Sequence, residues 1–284
     1  MVLAKKIFAK IFAFFVVSKI KKSYPNAAQI QIKTLKTLIN KAKKTKFGIE
    51  HQFHKINSVE EYIDKVPIRD YEDIKKYIDE IKKGTKDVLW PGKPKYLAKT
   101  SGTTSGAKHI PITNESMPNH IFSSRNALLF YIYETGDTSF LNGKTIFLQG
   151  SPVLDEINGI LIGRLSGIVA HHTPYYLKQN QLPSFQTNCI EEWEKKIDSI
   201  VEETLSENMT LISGIPPWVK MYFEKLREKT GRSIKDVFPN FELFIYGGVN
   251  YAPYKKSFEK LIGKRIPGIE LYPASEGFIA YQDS

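Results

Sequence analysis

Three short apolar runs, KTIFLQG at 144–150, TLISG at 210–214 and FELFIYGG at 241–248, each end on glycine. Runs this short, closed by a glycine, read as buried strands. Between them the apolar residues change to helical spacing: Trp193, Ile197, Ile200, Val201 and Leu205 share one face, and a second helix opens at the Pro216-Pro217 pair, where a first-turn proline costs no hydrogen bond. Parallel strands need long crossovers and antiparallel ones do not, so strand–helix–strand alternation predicts an α/β fold with a largely parallel sheet flanked by helices. In such sheets ligands sit outside the C-terminal ends of the strands, which is where these glycines fall.

The first 95 residues read as helical. KKIFAKIFAFFVVSKIKK has a basic start and an apolar run at 11–17 bounded by Lys10 and Lys19. A spanning helix needs about 20 apolar residues, and the segment lacks the small-residue cleavage site of a signal peptide. We expect an amphipathic helix packed on the body of the protein, with no stable membrane insertion; weak contact with a membrane surface is the second reading. A helix over 27–44 follows, ending in the Gly48 turn. Ser58 and Glu61 form a capping box at the next helix start, and Ile74, Tyr77, Ile78 and Ile81 recur at helical spacing until Gly84 stops them. The expected division is a helical region over 1–95 packed on an α/β domain over 96–284, with no internal repeat or low-complexity linker.

The net charge of +11, from 41 basic and 30 acidic residues, favours anionic ligands or surfaces. Its visible doublets, Lys43-Lys44, Lys75-Lys76 and Lys195-Lys196, are interspersed with acids and read as solvated helix faces rather than a nucleic-acid arm. A single cysteine, Cys189, excludes an intramolecular disulfide and a Cys-rich zinc site, and fits a reducing, cytoplasmic location. The histidines lack H-E-x-x-H spacing, and the adjacent His171 and His172 suit two faces better than one metal.

The stretch AKTSGTTSGAKHIPIT at 98–113 sets hydroxyls and glycines ahead of one lysine. Small residues let backbone N–H groups converge on one point, as phosphate oxygens require, and Lys108 would supply a mobile point charge. A surface turn with a solvated lysine fits the same composition. The Walker A pattern fails, because Gly102 and Gly106 are one residue too close and no Gly-Lys-Ser/Thr follows. Ser105-Gly-Ala-Lys108, Ser206-Glu-Asn208 and Lys229-Thr230-Gly231 match the three signatures of penicillin-binding serine enzymes in chain order. Yet MYFEKLREKTG reads as a helix ending at its glycine, not as a strand, and KHIPIT alternates like a strand, not a helix start.

SGTTSGAK resembles the phosphate-binding loop of adenylate-forming enzymes. FGIEHQF, VPIRDYEDIKKYI, VLWPGKPKYLAKTSGTTSGAKHIPIT, TLISGIPPWVKMYFEKL, IYGGVNYAPY and ELYPASEG together resemble, in order, the acyl acid–amido synthetases of the auxin-responsive-promoter family, in its bacterial branch. The resemblance runs from about residue 25 to the end. It implies the N-terminal domain fold of an adenylate-forming enzyme and an ATP- and Mg²⁺-dependent ligase. A small carboxylic acid attacks the α-phosphate of ATP, and an amino-acid amine then attacks the acyl-adenylate.

By motif match, Ser101, Gly102, Thr103, Thr104, Ser105 and Gly106 cradle the phosphates, with Lys108 near the pyrophosphate end. Tyr272 lies by the adenine, Ala274 and Ser275 by the nucleotide, and Glu276 helps to hold Mg²⁺. Gly247, Gly248, Val249 and Asn250 pass or line the nucleotide. From the residues alone, Tyr272 reads equally as a half-buried strand residue and Ser275-Glu276 as a helix start. GIPPW would border the acyl pocket, although Trp218 and Met221 also suit a core; His171 and His172 are candidates for the acceptor side, and His109 belongs to the strand supporting the loop. The family's third motif, with its ribose-binding aspartate, and its mobile C-terminal domain have no counterpart in these residues, so the chain is expected to be an N-terminal part of such an enzyme. A thiol acceptor and a non-catalytic nucleotide- or acid-binding module are the alternative functions. Neither the acid, the acceptor nor the oligomeric state is readable here.

Overall fold

The computed structural model describes residues 2–100 and 107–283. Its described strands, in chain order, are β1 (Tyr96–Thr100), β2 (Lys108–Ile112), β3 (Lys144–Phe147), β4 (Asp155–Ile157), β5 (Ile160–Gly163), β6 (Gln181–Leu182), β7 (Met209–Ser213), β8 (Leu243–Gly247), β9 (Gly268–Ala274) and β10 (Gly277–Tyr281). They form two sheets, ordered β2-β1-β5-β4 and β10-β9-β8-β7-β3-β6. The expected parallel sheet is the larger one: β6, β3, β7, β8 and β9 run parallel, and only β10 turns back antiparallel on β9.

The chain separates into two compact units, one of residues 1–18, 119–153 and 166–284 and the other of 19–118 and 154–165. The larger sheet belongs to the first. Met209, Thr210, Leu211 and Ile212 are all buried in β7, as a central parallel strand covered on both faces requires. Thr210 sits among them because its hydroxyl donates to the Phe140 carbonyl at 2.6 Å. Ile146, Ile212 and Phe244 pack with Ile197, Ile200 and Val201 of the helix Trp193–Thr204 and with Val219, Phe223 and Leu226 of the helix Pro216–Thr230. The latter ends at Gly231, at φ 65°, with its N–H on the Arg227 carbonyl. Lys229-Thr230-Gly231 is thus a helix end and not a site-lining strand.

The second unit holds the smaller, mostly antiparallel sheet, which the strand pattern does not forecast. It divides the chain along other lines than a boundary at residue 95. The reason is packing: Tyr77 and Ile81 of the helix Tyr71–Lys82 share a core with Leu97, Ile160 and Ile162 of β1 and β5. The helix Ala27–Ala42 occupies most of the 27–44 segment. Gly48 lies buried within a short helix, Lys46–Glu50, and not in a turn. At the start of the helix Val59–Lys65, Ser58 accepts from the Glu61 N–H at 3.2 Å. The Glu61 carboxylate accepts from Asn57 at 2.6 Å, so the capping box closes one residue before its usual partner. Asp70 caps Tyr71–Lys82 through the Asp73 N–H at 3.0 Å, and Gly84, at φ 90°, ends the pattern.

The N-terminal helix is Val2–Lys21. Ala13 and Val17 are fully buried, while Phe8, Phe14 and Phe15 are exposed. It is therefore apolar on two opposite faces rather than amphipathic. Among the described residues no helix is long and apolar enough to cross a membrane.

Phe223 is fully buried, with edge contacts to Phe241 and Phe258 at centroid distances of 5.9 and 5.8 Å. Phe223→Ala is expected to cost roughly 3–5 kcal/mol in urea unfolding; a cost below about 1 kcal/mol would place the core elsewhere.

Candidate functional site

Because β3, β7, β8 and β9 are parallel, their C-terminal ends reach the same edge of the sheet. The ladder continues past the strands there: Leu148 donates to the Ser213 carbonyl at 2.8 Å and Gly214 to the Ile245 carbonyl at 3.1 Å. TLISG, IYGG and YPASEG, distant in sequence, thereby reach one crest within one unit.

Gly247 ends β8. A Cβ on it would lie 2.2 Å from the Leu271 carbonyl oxygen of β9, so its smallness already serves the approach of the two strands. Gly248, at φ 81°, turns the chain off the sheet, a conformation that side chains other than glycine adopt rarely. Val249 and Asn250 follow as exposed residues. The Asn250 side chain accepts from the Ala252 N–H at 2.9 Å, which steers the chain toward the helix Lys255–Ile262.

Tyr272 lies in β9 and is 60% exposed; it is neither half-buried nor part of a core. An uncovered ring at this edge offers a face on which a base can stack. Ala274 pairs with Gly277, so Ser275 and Glu276 are the two residues of a hairpin turn and not a helix start. A Ser-Glu pair satisfies helix-start chemistry and turn chemistry alike, and only the pairing of β9 with β10 separates them. Glu276 is exposed. Among the described residues no three His, Cys, Asp or Glu side chains gather for a metal. This donor set fits an ion such as Mg²⁺, which is commonly held by one or two carboxylates together with substrate phosphates rather than by a protein cage.

Lys108 belongs to the other unit. It opens β2 opposite Thr100, half-buried, with its ammonium 5.3 Å from the Tyr71 ring centroid. Ser101, Gly102, Thr103, Thr104, Ser105 and Gly106 lie outside the described residues, between these ladder partners. His109 is on β2, as expected of a supporting strand, and its N–H donates to the Tyr71 hydroxyl at 2.9 Å.

Other side chains depart from the sequence reading. Lys196, grouped with Lys195 as solvated, is only 2% exposed and donates to the carbonyls of Gln149, at 3.0 Å, and Asn188, at 2.7 Å. It thereby ties the exit of β3 to the neighbouring turn. The signal was present: Lys196 falls three residues after Trp193 and four before Ile200, on the buried face. Met221 is 40% exposed, receiving the Trp193 indole N–H at 3.4 Å, whereas Trp218, tilted against Trp193 with ring centroids 4.3 Å apart, packs on the core as its alternative reading held. His171 donates from Nε2 to the Pro152 carbonyl at 2.8 Å.

The solved structure of GH3.15 acyl acid amido synthetase aligns with a TM-score of 0.71 at 14% identity, over 90% of this chain and 54% of that one. AtGH3.15 acyl acid amido synthetase in complex with 2,4-DB aligns at 0.66 and 18% identity, over 89% and 54%. An open 2-hydroxyisobutyryl-CoA ligase with 2-HIB-AMP and CoA aligns at 0.50 and 10% identity, over 87% and 53%. The fold is thus that of an adenylate-forming enzyme, and the chain spans about half the length of these structures. The family model of the GH3 family N-terminal domain matches residues 16–191 and 151–267, and the chain belongs to the GH3 family. No curated protein matches.

Burial holds the pKa of His109 below its ordinary 6.5, with Lys82 and Lys99 adding to the effect, and burial alone does the same for His120. A depressed histidine pKa contributes stability that is complete above about 6.5 and lost as pH falls toward the folded value. Unfolding free energy should therefore decline from pH 7 to pH 5, and the double variant His109→Gln, His120→Gln should flatten that decline. An unchanged slope would contradict the assignment.

Proposed function

We propose that this chain is the acyl- and nucleotide-binding part of an ATP-dependent acyl acid–amido synthetase, working in the cytoplasm. The observation that carries the reading is the convergence of IYGGVN and YPASEG at the C-terminal edge of the parallel sheet, in a chain of the GH3 family. The family resemblance gives each residue its role. Tyr272 offers its ring to the adenine; Ala274, Ser275, Val249, Asn250 and the Gly247-Gly248 backbone border the nucleotide.

In the reaction proposed, a carboxylate oxygen attacks the α-phosphorus and the bond to the β-phosphate oxygen breaks. Pyrophosphate leaves, and a mixed acyl–phosphate anhydride remains. The amine of an amino acid then attacks the acyl carbon, AMP departs with the bonding pair, and the amine loses a proton to give the amide. No covalent enzyme nucleophile is required. The chain's contribution is positioning and charge stabilisation: by the family resemblance Ser101, Gly102, Thr103, Thr104, Ser105 and Gly106 bind the polyphosphate, and Lys108 offsets charge that builds on the departing pyrophosphate. Mg²⁺, held by Glu276, would supply further neutralisation of the phosphate oxygens.

Two measurements test the reading. Mg·ATP binding by calorimetry should weaken at least about tenfold in Lys108→Ala and in Tyr272→Ala, with unfolding midpoints near wild type because Tyr272 is exposed and Lys108 only half-buried. Pyrophosphate release and hydroxamate formation with a panel of carboxylic acids and hydroxylamine should depend on the acid and fall by about 10²-fold or more in Lys108→Ala and Glu276→Ala. A folded chain with no affinity for Mg·ATP, or an acid-dependent signal untouched by either variant, would overturn the assignment.

A further inference from the structure

The outward face of the helix Val2–Lys21 is unaccounted for by any nucleotide chemistry. Leu3, Ile7, Phe8, Ile11, Phe14 and Phe15 are between 51% and 71% exposed. At 100° per residue they fall within an arc of roughly 140°, opposite the face that buries Ala13 and Val17. The helix is fixed to its unit by that inner face. Lys5 donates to the Leu141 carbonyl at 2.9 Å, Arg125 lies 5.6 Å from the Phe12 ring, and Phe14 stacks on Tyr133 with one side of its ring. A contiguous exposed patch of six large apolar side chains on a docked helix is a surface built to be covered.

Charge identifies the cover. Residues 1–49 contain twelve lysines and no aspartate, glutamate or arginine, which leaves 29 basic and 30 acidic side chains for the rest of the chain. The whole surplus of +11 therefore lies in this segment rather than being scattered. On the helix itself Lys10 borders one side of the apolar arc, and Lys19 the other. Lysine stems can lie along an apolar surface while their ammonium groups reach outward. A second copy of the chain on the same patch would set lysines against lysines. An anionic lipid surface instead offers hydrocarbon for the phenylalanines and phosphate or carboxylate groups for the ammonium rim.

We propose that this face docks the protein on an anionic phospholipid bilayer, with the helix lying in the interfacial plane and its inner face still on the protein. The contact is peripheral. It combines insertion of Phe8, Ile11 and Phe15 with attraction of the lysine rim.

Vesicle co-sedimentation of the 284-residue chain tests this, with phosphatidylcholine vesicles containing or lacking phosphatidylserine. The proposal predicts binding to the serine-containing vesicles, weakened at least about fivefold between 50 and 500 mM salt, where screening shortens the electrostatic reach. Phe8→Glu with Phe15→Glu should reduce binding at least about tenfold with an unchanged unfolding midpoint, because both side chains point to solvent. Lys10→Gln with Lys19→Gln should reduce it by a smaller factor and lessen the salt dependence. Absence of binding to serine-containing vesicles would overturn the proposal. So would binding that the two glutamates leave intact. Concentration-dependent self-association abolished by the two glutamates would overturn it as well, by making the face an interface between copies.

Discussion

The parallel pairing of β7 with β8 and of β8 with β9 is the constraint on which the candidate site depends. It aligns three chain exits on one edge and fixes their spacing at the strand-to-strand distance. Gly247 shows how tightly that alignment is held, because its Cα faces the Leu271 carbonyl with no room for a side chain. The reversal of β10 onto β9 then places Ser275 and Glu276 in a two-residue turn at the crest. Without β10 the glutamate would have no fixed position; without the β8–β9 contact the Gly248 turn would not stand beside it.

Much of this was legible in the sequence because glycine marks strand exits and apolar periodicity marks helices. KTIFLQG, TLISG and FELFIYGG became β3, β7 and β8, and the Trp193 and Pro216 helices lie where their spacing put them. Features set by pairing between distant segments were not legible. The smaller sheet joins β1 to β5 across about sixty residues, and no local pattern announces such a partner. The Ser275-Glu276 turn was ambiguous for the same reason. Lys196 was misread through its doublet, since burial of a lysine depends on two carbonyls that the turn at Asn188 and the end of β3 happen to supply. The assigned roles of the site residues came from family resemblance, not from spacing.

The two apolar faces of the N-terminal helix illustrate a different limit. Apolar residues all round a helix usually signal full burial, yet here one face is packed and the other is open. Composition along the chain resolves what periodicity does not. Residues 1–49, whose only charged side chains are lysines, contrast with the acid–base balance of the remaining residues.

The central claim is that nucleotide occupies the crest formed by β8, β9 and the β9–β10 turn. Photolabelling with an azido-adenine nucleotide in the presence of Mg²⁺, followed by peptide mapping, tests it most directly. The account predicts adducts within residues 246–250 and 270–277, suppressed by excess Mg·ATP and lost from the second peptide in Tyr272→Ala. Labelling confined to other peptides, with these two unmodified in a folded protein, would contradict it.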